Sequence, residues 1–506
     1  MMIEYRNAKQ IGCNVTLPKS FRRLYHSDET KRNSSRRTIP KVKVTQRRID
    51  FGQLPNYNFN KHFAEVVYVA NFFRLTKNQR VELADGRTVT VTDKLGEGGQ
   101  GIVYRVQLDT GAERALKWFF VMKEPHKFYN HLATNIKNGA PSNAFLWPEQ
   151  LTRYVESEPF GYIMKLYPKG YESFVKFLLA KIQFKSAAAM VDAAINMVNA
   201  FKLLHNKGYN YQDLNDGNFA IDPNSGKVLI CDNDNVVGHG ADSGILGKAR
   251  YMAPEVVRGD KKPDTHTDRF SLAVVLFLLL VGYHPLEGKR TNYPVLTNKY
   301  EKRIYGTEPL FIFDEHDNSN APHPTLHKSA PAMWNVFPTF VRKTFQRAFS
   351  QESLHDCRNR PLEQDWFHVL VRLKSSIVRC PHCGNEMFLE SDAATTCPNC
   401  KRSVKAAGYL QFNKRANQIV TVPIFKDAVL YDYHMDSSSE DFETAAALIL
   451  AKPGKFGLKN NSQSKWIITA PDGKTFMRQA GETQVLAADC KIEFGKNNLA
   501  QVIVNV

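Results

Sequence analysis

No uninterrupted apolar run in this 506-residue chain is long enough to cross a bilayer. The longest uninterrupted apolar run, Leu272 to Val281, is about half of what a spanning helix needs, so a buried core helix is expected there. The first twenty residues lack the apolar core of a secretory leader, which makes the cytoplasm the expected compartment. Cysteine is scarce. Of eight residues, four stand in two tight Cys-x-x-Cys pairs, which excludes a disulfide framework and points to metal ligation under reducing conditions.

What is present describes a soluble globular protein: 43% hydrophobic and 23% charged residues, with length for two to four domains. The +18 net charge is uneven, because residues 1–50 carry 13 Lys/Arg against 4 Asp/Glu, half of the excess in a tenth of the chain. That segment reads as a basic, disordered arm, with nucleic acid or acidic lipid as the weaker alternative for a partner. Residues 51–87, with aromatic and apolar material from Phe63 to Phe73, read as an extension packed on the domain that follows.

The chemistry gathers in Gly208-Tyr-Asn-Tyr-Gln-Asp-Leu-Asn-Asp-Gly-Asn218 and Val228-Leu-Ile-Cys-Asp-Asn-Asp234. Asp213 stands five residues before Asn218, and a second carboxylate, Asp232, follows an apolar run. This order suits a site that orients a hydroxyl and holds magnesium on a phosphate chain. Asp and Asn also crowd turns for backbone reasons, so the weight falls on what lies upstream. From Thr88 the pattern has period two. Thr-Val-Thr-Val-Thr-Asp leads to Gly96-Glu-Gly-Gly-Gln-Gly101, then to Ile-Val-Tyr-Arg-Val-Gln-Leu108, and a third strand runs from Glu113 to Phe120. A glycine loop between two antiparallel strands lets a phosphate approach the bare backbone. Lys117, in Ala115-Leu-Lys117, places an ammonium on the third strand within reach of such phosphates.

In this order the segments resemble a eukaryotic-type protein kinase domain over residues 88–375, with a small lobe over 88–167 and a large lobe over 168–375. Gly96, Gly98, Gly99, Gly101 and Val103 match the glycine loop, and Ala115 and Lys117 the Val-Ala-Ile-Lys strand. Tyr211-Gln-Asp213 stands for His-Arg-Asp, Asn218 falls at the required spacing, and Asp232-Asn-Asp234 stands for Asp-Phe-Gly. Met252-Ala-Pro-Glu255 matches Ala-Pro-Glu, Asp268-Arg-Phe-Ser-Leu272 the central large-lobe helix, and Arg360 the arginine that pairs with Glu255. The resemblance implies an α+β bilobal fold that binds ATP and Mg, with Asp213 orienting the acceptor hydroxyl and Asn218 and Asp232 holding metal. Met164 would back the adenine pocket, with Lys165 to Tyr167 offering backbone groups to the base. Ser186 to His205 reads as a long helix that ends at Gly208, and His205 as a packed helix-end histidine.

The chain departs from that family's pattern in several places. Gln212 replaces the His-Arg-Asp arginine, which argues against an activation-loop phosphate switch, and Ser243 and Tyr251 are the only acceptors between Asp232 and Glu255. Asn215 occupies a position that usually carries lysine, and Lys248 is placed to restore positive charge near Asp213. No Asp or Glu occurs between Pro125 and Trp147, where a small-lobe helix should supply the partner of Lys117, and Glu124 comes only seven residues after that lysine. A pseudokinase scaffold is therefore the alternative to an active Ser/Thr kinase. A small-molecule kinase is the third reading. Tyr211-Gln-Asp213, Asp216-Gly-Asn-Phe219 and Asp232-Asn-Asp-Asn-Val236 resemble bacterial signalling kinases with an appended zinc ribbon. That likeness implies a metal-dependent phosphatase and a von Willebrand-type protein as partners, beside a protein substrate.

Downstream, Cys380-Pro-His-Cys383 and Cys397-Pro-Asn-Cys400 form two knuckles whose four thiolates would close a tetrahedral structural zinc site in a ribbon over 376–405. Iron fits the same cage. Residues 415–506 alternate in the manner of an all-β domain, a β-sandwich for protein contacts. Phe456-Gly-Leu-Lys-Asn460 resembles part of a forkhead-associated domain, with Leu458 where those domains carry a phosphothreonine-reading arginine.

Overall fold

The computed structural model describes residues 74–120, 124–238, 247–292, 297–413, 419–495 and 498–504. The basic arm, most of the 51–87 segment and Ser243 lie outside them. The described chain divides into a smaller unit, residues 74–138 with 148–166, and a larger one, residues 139–147 with 167–504. The division differs from the boundaries expected above in two respects. Gly139–Trp147 belongs with the larger unit, and the ribbon and β-rich segments do not separate from the large lobe.

The smaller unit is an antiparallel sheet with one helix. Its strands are β1 (Arg80–Glu82), β2 (Thr88–Glu97), β3 (Gly101–Leu108), β4 (Glu113–Phe119), β5 (Gln150–Leu151) and β6 (Gly161–Met164), in the order β1-β2-β3-β4-β6-β5. The sheet thus starts at Arg80, inside the segment read as an extension, because Val81 pairs with Val89 and is buried. Alternation sets the face: Val89, Val91, Ile102, Tyr104 and Val106 all point into one cluster. Gly101 is required by packing, since a Cβ there would lie 2.2 Å from the Trp118 carbonyl oxygen. Helix α1 (Pro125–Asn138) begins on a proline and stops before Gly139 at φ +72°, a start and a stop that each residue favours.

The larger unit is built on two buried helices. Helix α2 (Ala187–Asn206) is N-capped by Ser186, whose side chain accepts from the Ala189 amide at 3.1 Å, and the chain turns away at Gly208 with φ +76°. By length and composition α2 alone among the described helices qualifies to cross a membrane, but 67% of its apolar window is buried in the protein. Helix α3 (Thr265–Val281) contains the long apolar run and is buried all round. A capping box at Asp264 and Thr267 starts it and Gly282 ends it. Glu255 and Arg360 form a bidentate pair at 2.8 Å, and Arg360 also donates to the His266 and Ser353 carbonyls. Helices α4 (Thr339–Ala348) and α5 (Glu363–Ser375) complete the helical layer.

After α5 come two short hairpins, Ile377–Arg379 with Glu386–Phe388, and Thr395–Thr396 with Ser403–Val404. Then follow a six-stranded and a four-stranded sheet whose inward residues, among them Phe412, Leu430, Ile449, Trp466 and Phe494, share one apolar core. That core is continuous with the helical layer. Phe367 of α5 lies 5.8 Å from the Tyr433 ring and 6.1 Å from Phe442. Leu458, compared above with a phosphate-reading loop arginine, is buried within the strand Lys455–Asn460, paired on both sides. A residue there cannot grip a ligand.

Candidate active site

In the smaller unit, register brings the nucleotide candidates together on three strands: Val103 opposite Lys117, Ala115 opposite Met164, and Lys117 opposite Tyr162. Lys117 is only 5% exposed, with Nζ 5.4 Å from the Phe119 ring centre. A Cβ at Gly96, Gly98 or Gly99 would meet nothing within 4 Å, so the fold itself makes no steric demand for glycine at those three positions. Glu97 between them is held by Arg74 and Lys94, whose hydrogen bonds lower its carboxyl to about 2. Glu124 precedes α1 and pairs with Lys127 at 3.3 Å. The buried polar residue of α1 is Asn135, bonded to His131 at 3.2 Å. Lys165 follows β6 and is exposed.

In the larger unit, the catalytic-loop candidates sit between strands β7 (Tyr209–Asn210) and β8 (Phe219–Ile221), and Asp232 follows β9 (Val228–Ile230). The β8–β9 hairpin sets Asn218 beside Asp232, because the Cys231 amide donates to the Asn218 carbonyl at 2.8 Å. Gln212 and Asp232 both adopt positive φ, +67° and +52°, a backbone cost that fixed surroundings must sustain. Asp268 of α3 supplies part of that fixture. Its carboxylate accepts from the Tyr211 amide at 2.6 Å and the Gln212 amide at 3.1 Å, so α3 grips the two residues just before Asp213. Tyr167 places its hydroxyl 2.8 Å from the Cys231 sulfur.

Asp213 is held by its neighbours in an ordered chain. Asn215 donates through Nδ2 to the Asp213 carboxylate at 3.1 Å and accepts at Oδ1 from Lys248 Nζ at 2.9 Å and the Gly217 amide at 3.0 Å. Lys248 therefore reaches Asp213 through the Asn215 amide, a relay that the sequence did not indicate. Burial pushes the Asp213 carboxyl up, as do the charges of Asp232 and Asp234, while the Asn215 hydrogen bond and the Lys248 charge oppose them. Space beside the carboxylate is kept open by Gly247, where a Cβ would fall 3.1 Å from Asp213 Oδ1. Tyr251 is buried, so it is not presented as an acceptor.

His205 does more than pack. Its Nε2 lies 3.1 Å from Asp268 and its Nδ1 2.7 Å from Glu363 of α5, which Arg269 also binds at 2.9 Å. Carboxylates accept only, so both ring nitrogens donate and the ring is an imidazolium. The two carboxylates outweigh burial and raise its pKa from 6.5 to about 9. A raised pKa stabilises fully below the unfolded value and is lost as pH climbs through the folded one, a contribution on the order of 3 kcal/mol here. Melting temperature should thus fall between pH 6.5 and 9, and the His205→Gln variant should start lower and lack that fall. Parallel curves for the two proteins would refute the charged strap.

The four Cys-x-x-Cys sulfurs, Cys380, Cys383, Cys397 and Cys400, all lie within 4.8 Å of one another, and the pairs Cys380–Cys400 and Cys383–Cys397 are 3.7 Å apart. Zn–S bonds of about 2.3 Å in a tetrahedron separate sulfurs by roughly 3.8 Å, so the cage has the size of a zinc site. Both knuckles close alike, the Gly384 amide on the Cys380 carbonyl and the Lys401 amide on that of Cys397. Two carboxylates of the 376–405 segment reach helix starts, a favourable place for a carboxylate: Glu386 accepts from the Ala187 amide of α2 at 2.9 Å, and Glu390 accepts from the Thr339 amide of α4.

A glycine hairpin with a buried strand lysine, and a loop carrying Asp213 and Asn218 that a central helix anchors, are the marks of a protein kinase domain. The protein kinase domain family model matches residues 89–345, just over half of the chain, and the chain belongs to that family. It is 24% identical over 243 residues to the protein kinase YegI of Escherichia coli (strain K12), covering 45% of this chain and 34% of that protein. Over 152 residues it is 30% identical to the serine/threonine-protein kinase YPK3 of Saccharomyces cerevisiae (27% of this chain, 28% of that one). Over 99 residues it is 32% identical to the mouse protein kinase C delta type (19% and 14%). The chain spans about a third or less of the length of these relatives.

Proposed function

We propose that the chain is an ATP- and magnesium-dependent protein kinase of the Ser/Thr type, lacking the usual arginine before its base, that acts in bacterial signalling. The observation that carries this reading is the fixed Asp213, aligned by Asn215 beside the Gly247 opening, with Asn218 and Asp232 held on adjoining strand ends. The donor set fits magnesium, since both residues offer hard oxygens. When bound, magnesium neutralises charge on the phosphate chain. The protein's own part is positioning. Asp213 accepts the acceptor hydroxyl's proton, Lys117 and the glycine strands hold the phosphates, and Met164, Lys165 and Tyr167 receive the base. Incubation with γ-labelled ATP and a generic basic protein, followed by phosphoamino-acid analysis, tests the class. Labelled serine or threonine is expected, and label on tyrosine alone would refute it.

Lys248 takes over the electrostatic role of the missing catalytic-loop lysine. Lys248→Ala should slow transfer on the order of 100-fold with little change in ATP binding, and Lys248→Arg should restore part of it. Equal rates for Lys248→Ala and the parent protein would remove Lys248 from the mechanism.

The alternative, a nucleotide-binding scaffold, draws on one observation: α1 carries no acidic residue to pair with Lys117. The cysteine cage serves as a closed structural zinc site, and the ribbon and β-domain as protein-contact elements. Removing the metal, or replacing Cys383 by Ser, should lower the melting temperature by at least about 2–4 °C, because the α2 cap at Glu386 goes with the ribbon. Full zinc loss with an unchanged melting curve would separate the ribbon from the lobe. A protein substrate, a metal-dependent phosphatase and a von Willebrand-type protein are the proposed partners, and the cytoplasm the proposed compartment.

A further inference from the structure

Tyr211 is fully buried, two residues before Asp213, in T-shaped contact with Phe201 at 5.6 Å. Its ring is accounted for by that packing. Its hydroxyl is not. The oxygen lies against the Cys231 carbonyl, 3.3 Å from the Asp232 carbonyl, and 3.1 Å from the side-chain amide of Asn218. A phenol has a single proton, and a carbonyl can only accept. The proton is therefore committed to the carbonyls at 231 and 232, and the hydroxyl oxygen can take from Asn218 only an N–H.

The Tyr211 hydroxyl thereby settles the one freedom that the Asn218 amide has. Its two ends are nearly the same size, so which of them faces a neighbour is decided by hydrogen bonding alone. With Nδ2 turned to Tyr211, Oδ1 is kept off the hydroxyl. Oδ1 is the only amide atom that can bind a cation. We propose that Tyr211 is a positioning residue that locks the Asn218 amide with its oxygen presented to the divalent cation, and that it ties this ligand to the Cys231–Asp232 backbone carrying the other. The inference deepens the kinase reading and rests on Asn218 and Asp232 as metal ligands.

Tyr211→Phe keeps the ring and deletes the hydroxyl, which frees the amide to turn. The readout is Mn2+ binding followed by electron paramagnetic resonance, with a non-hydrolysable ATP analogue present, so no turnover is needed. Loss of a partner that orients a metal ligand weakens metal binding about 10- to 100-fold, and about 10-fold is expected here. The magnesium concentration for half-maximal transfer should rise in parallel, with little change in the ATP requirement at saturating magnesium.

The decisive arm is Asn218→Asp. A carboxylate has no wrong way round, so adding Tyr211→Phe to Asn218→Asp should cost less than a factor of about two. A Tyr211→Phe protein that binds Mn2+ like the parent overturns the proposal. So does a loss of equal size in the Asn218→Asp background, which would make the hydroxyl a support for the 231–232 backbone only. If the unaltered chain binds no Mn2+ with the nucleotide, the kinase reading and this inference fall together. If it binds Mn2+ without transferring phosphate, only the kinase reading falls.

Discussion

Asp213→Asn is expected to cut phosphoryl transfer by about 100- to 10,000-fold while nucleotide binding stays close to that of the parent protein. The substitution is nearly isosteric and removes the one group placed to accept the acceptor's proton. The carboxylate is not free to be replaced in function by a neighbour. Asn215 is spent on Asp213, Gly217 and Lys248, and the bare Cα of Gly247 faces the Asp213 carboxylate directly. Folding should change little, because the loop is anchored through the Tyr211 and Gln212 amides on Asp268 and not through the Asp213 side chain. Transfer within about three-fold of the parent would mean that positioning and charge neutralisation alone carry the reaction. In that case Asp213 would be a turn residue.

The second large effect concerns the far end of the chain. A protein ending at Ser376 is expected to be insoluble or to unfold without cooperativity, although it contains every residue assigned to transfer. Lys374 explains why. It is 8% exposed, 2.6 Å from Asp192 of α2, donates to the Phe442 carbonyl at 3.0 Å, and lies 4.5 Å from the Tyr431 ring centre. Truncation removes the carbonyl and the aromatic walls and leaves that ion pair uncovered. It also takes Tyr433 and Phe442 from Phe367, and Tyr433 from His368, to which it is bonded at 2.6 Å. Each large core side chain is worth about 3–5 kcal/mol, and total stability is about 5–15 kcal/mol, so losing several exceeds the margin. A soluble, cooperatively melting 1–376 protein would show that the β-domain is a separable attachment.

How much of this could be read from the sequence follows the range of the interactions. The glycine hairpin, Lys117, the Asp213–Asn218 spacing and the cysteine knuckles are local patterns, each set within about a dozen residues, and they are legible. The helix end at Gly208 is equally local. What escaped depends on residues far apart in the chain. The carboxylates that charge His205 come from positions 268 and 363, and Lys248 reaches Asp213 only through Asn215. Tyr211 is visible in sequence as a stand-in for histidine, but its three-way hydroxyl needs the β8–β9 hairpin to be in place. Phe456-Gly-Leu-Lys-Asn460 is too short a string to show its own pairing, and only strands from elsewhere on both sides bury Leu458. The merging of ribbon, β-domain and large lobe has no local signature, since Asp192 and Lys374 meet only after α2 and α5 have packed.

The most direct test of the central claim is transfer of label from γ-labelled ATP by the 506-residue chain with magnesium, run beside Asp232→Ala with nucleotide binding measured on both. The account predicts labelled protein from the parent chain, none above background from Asp232→Ala, and loss of label when magnesium is chelated. Nucleotide binding by the parent chain with no label on itself or on an added protein would contradict it and make the chain a scaffold.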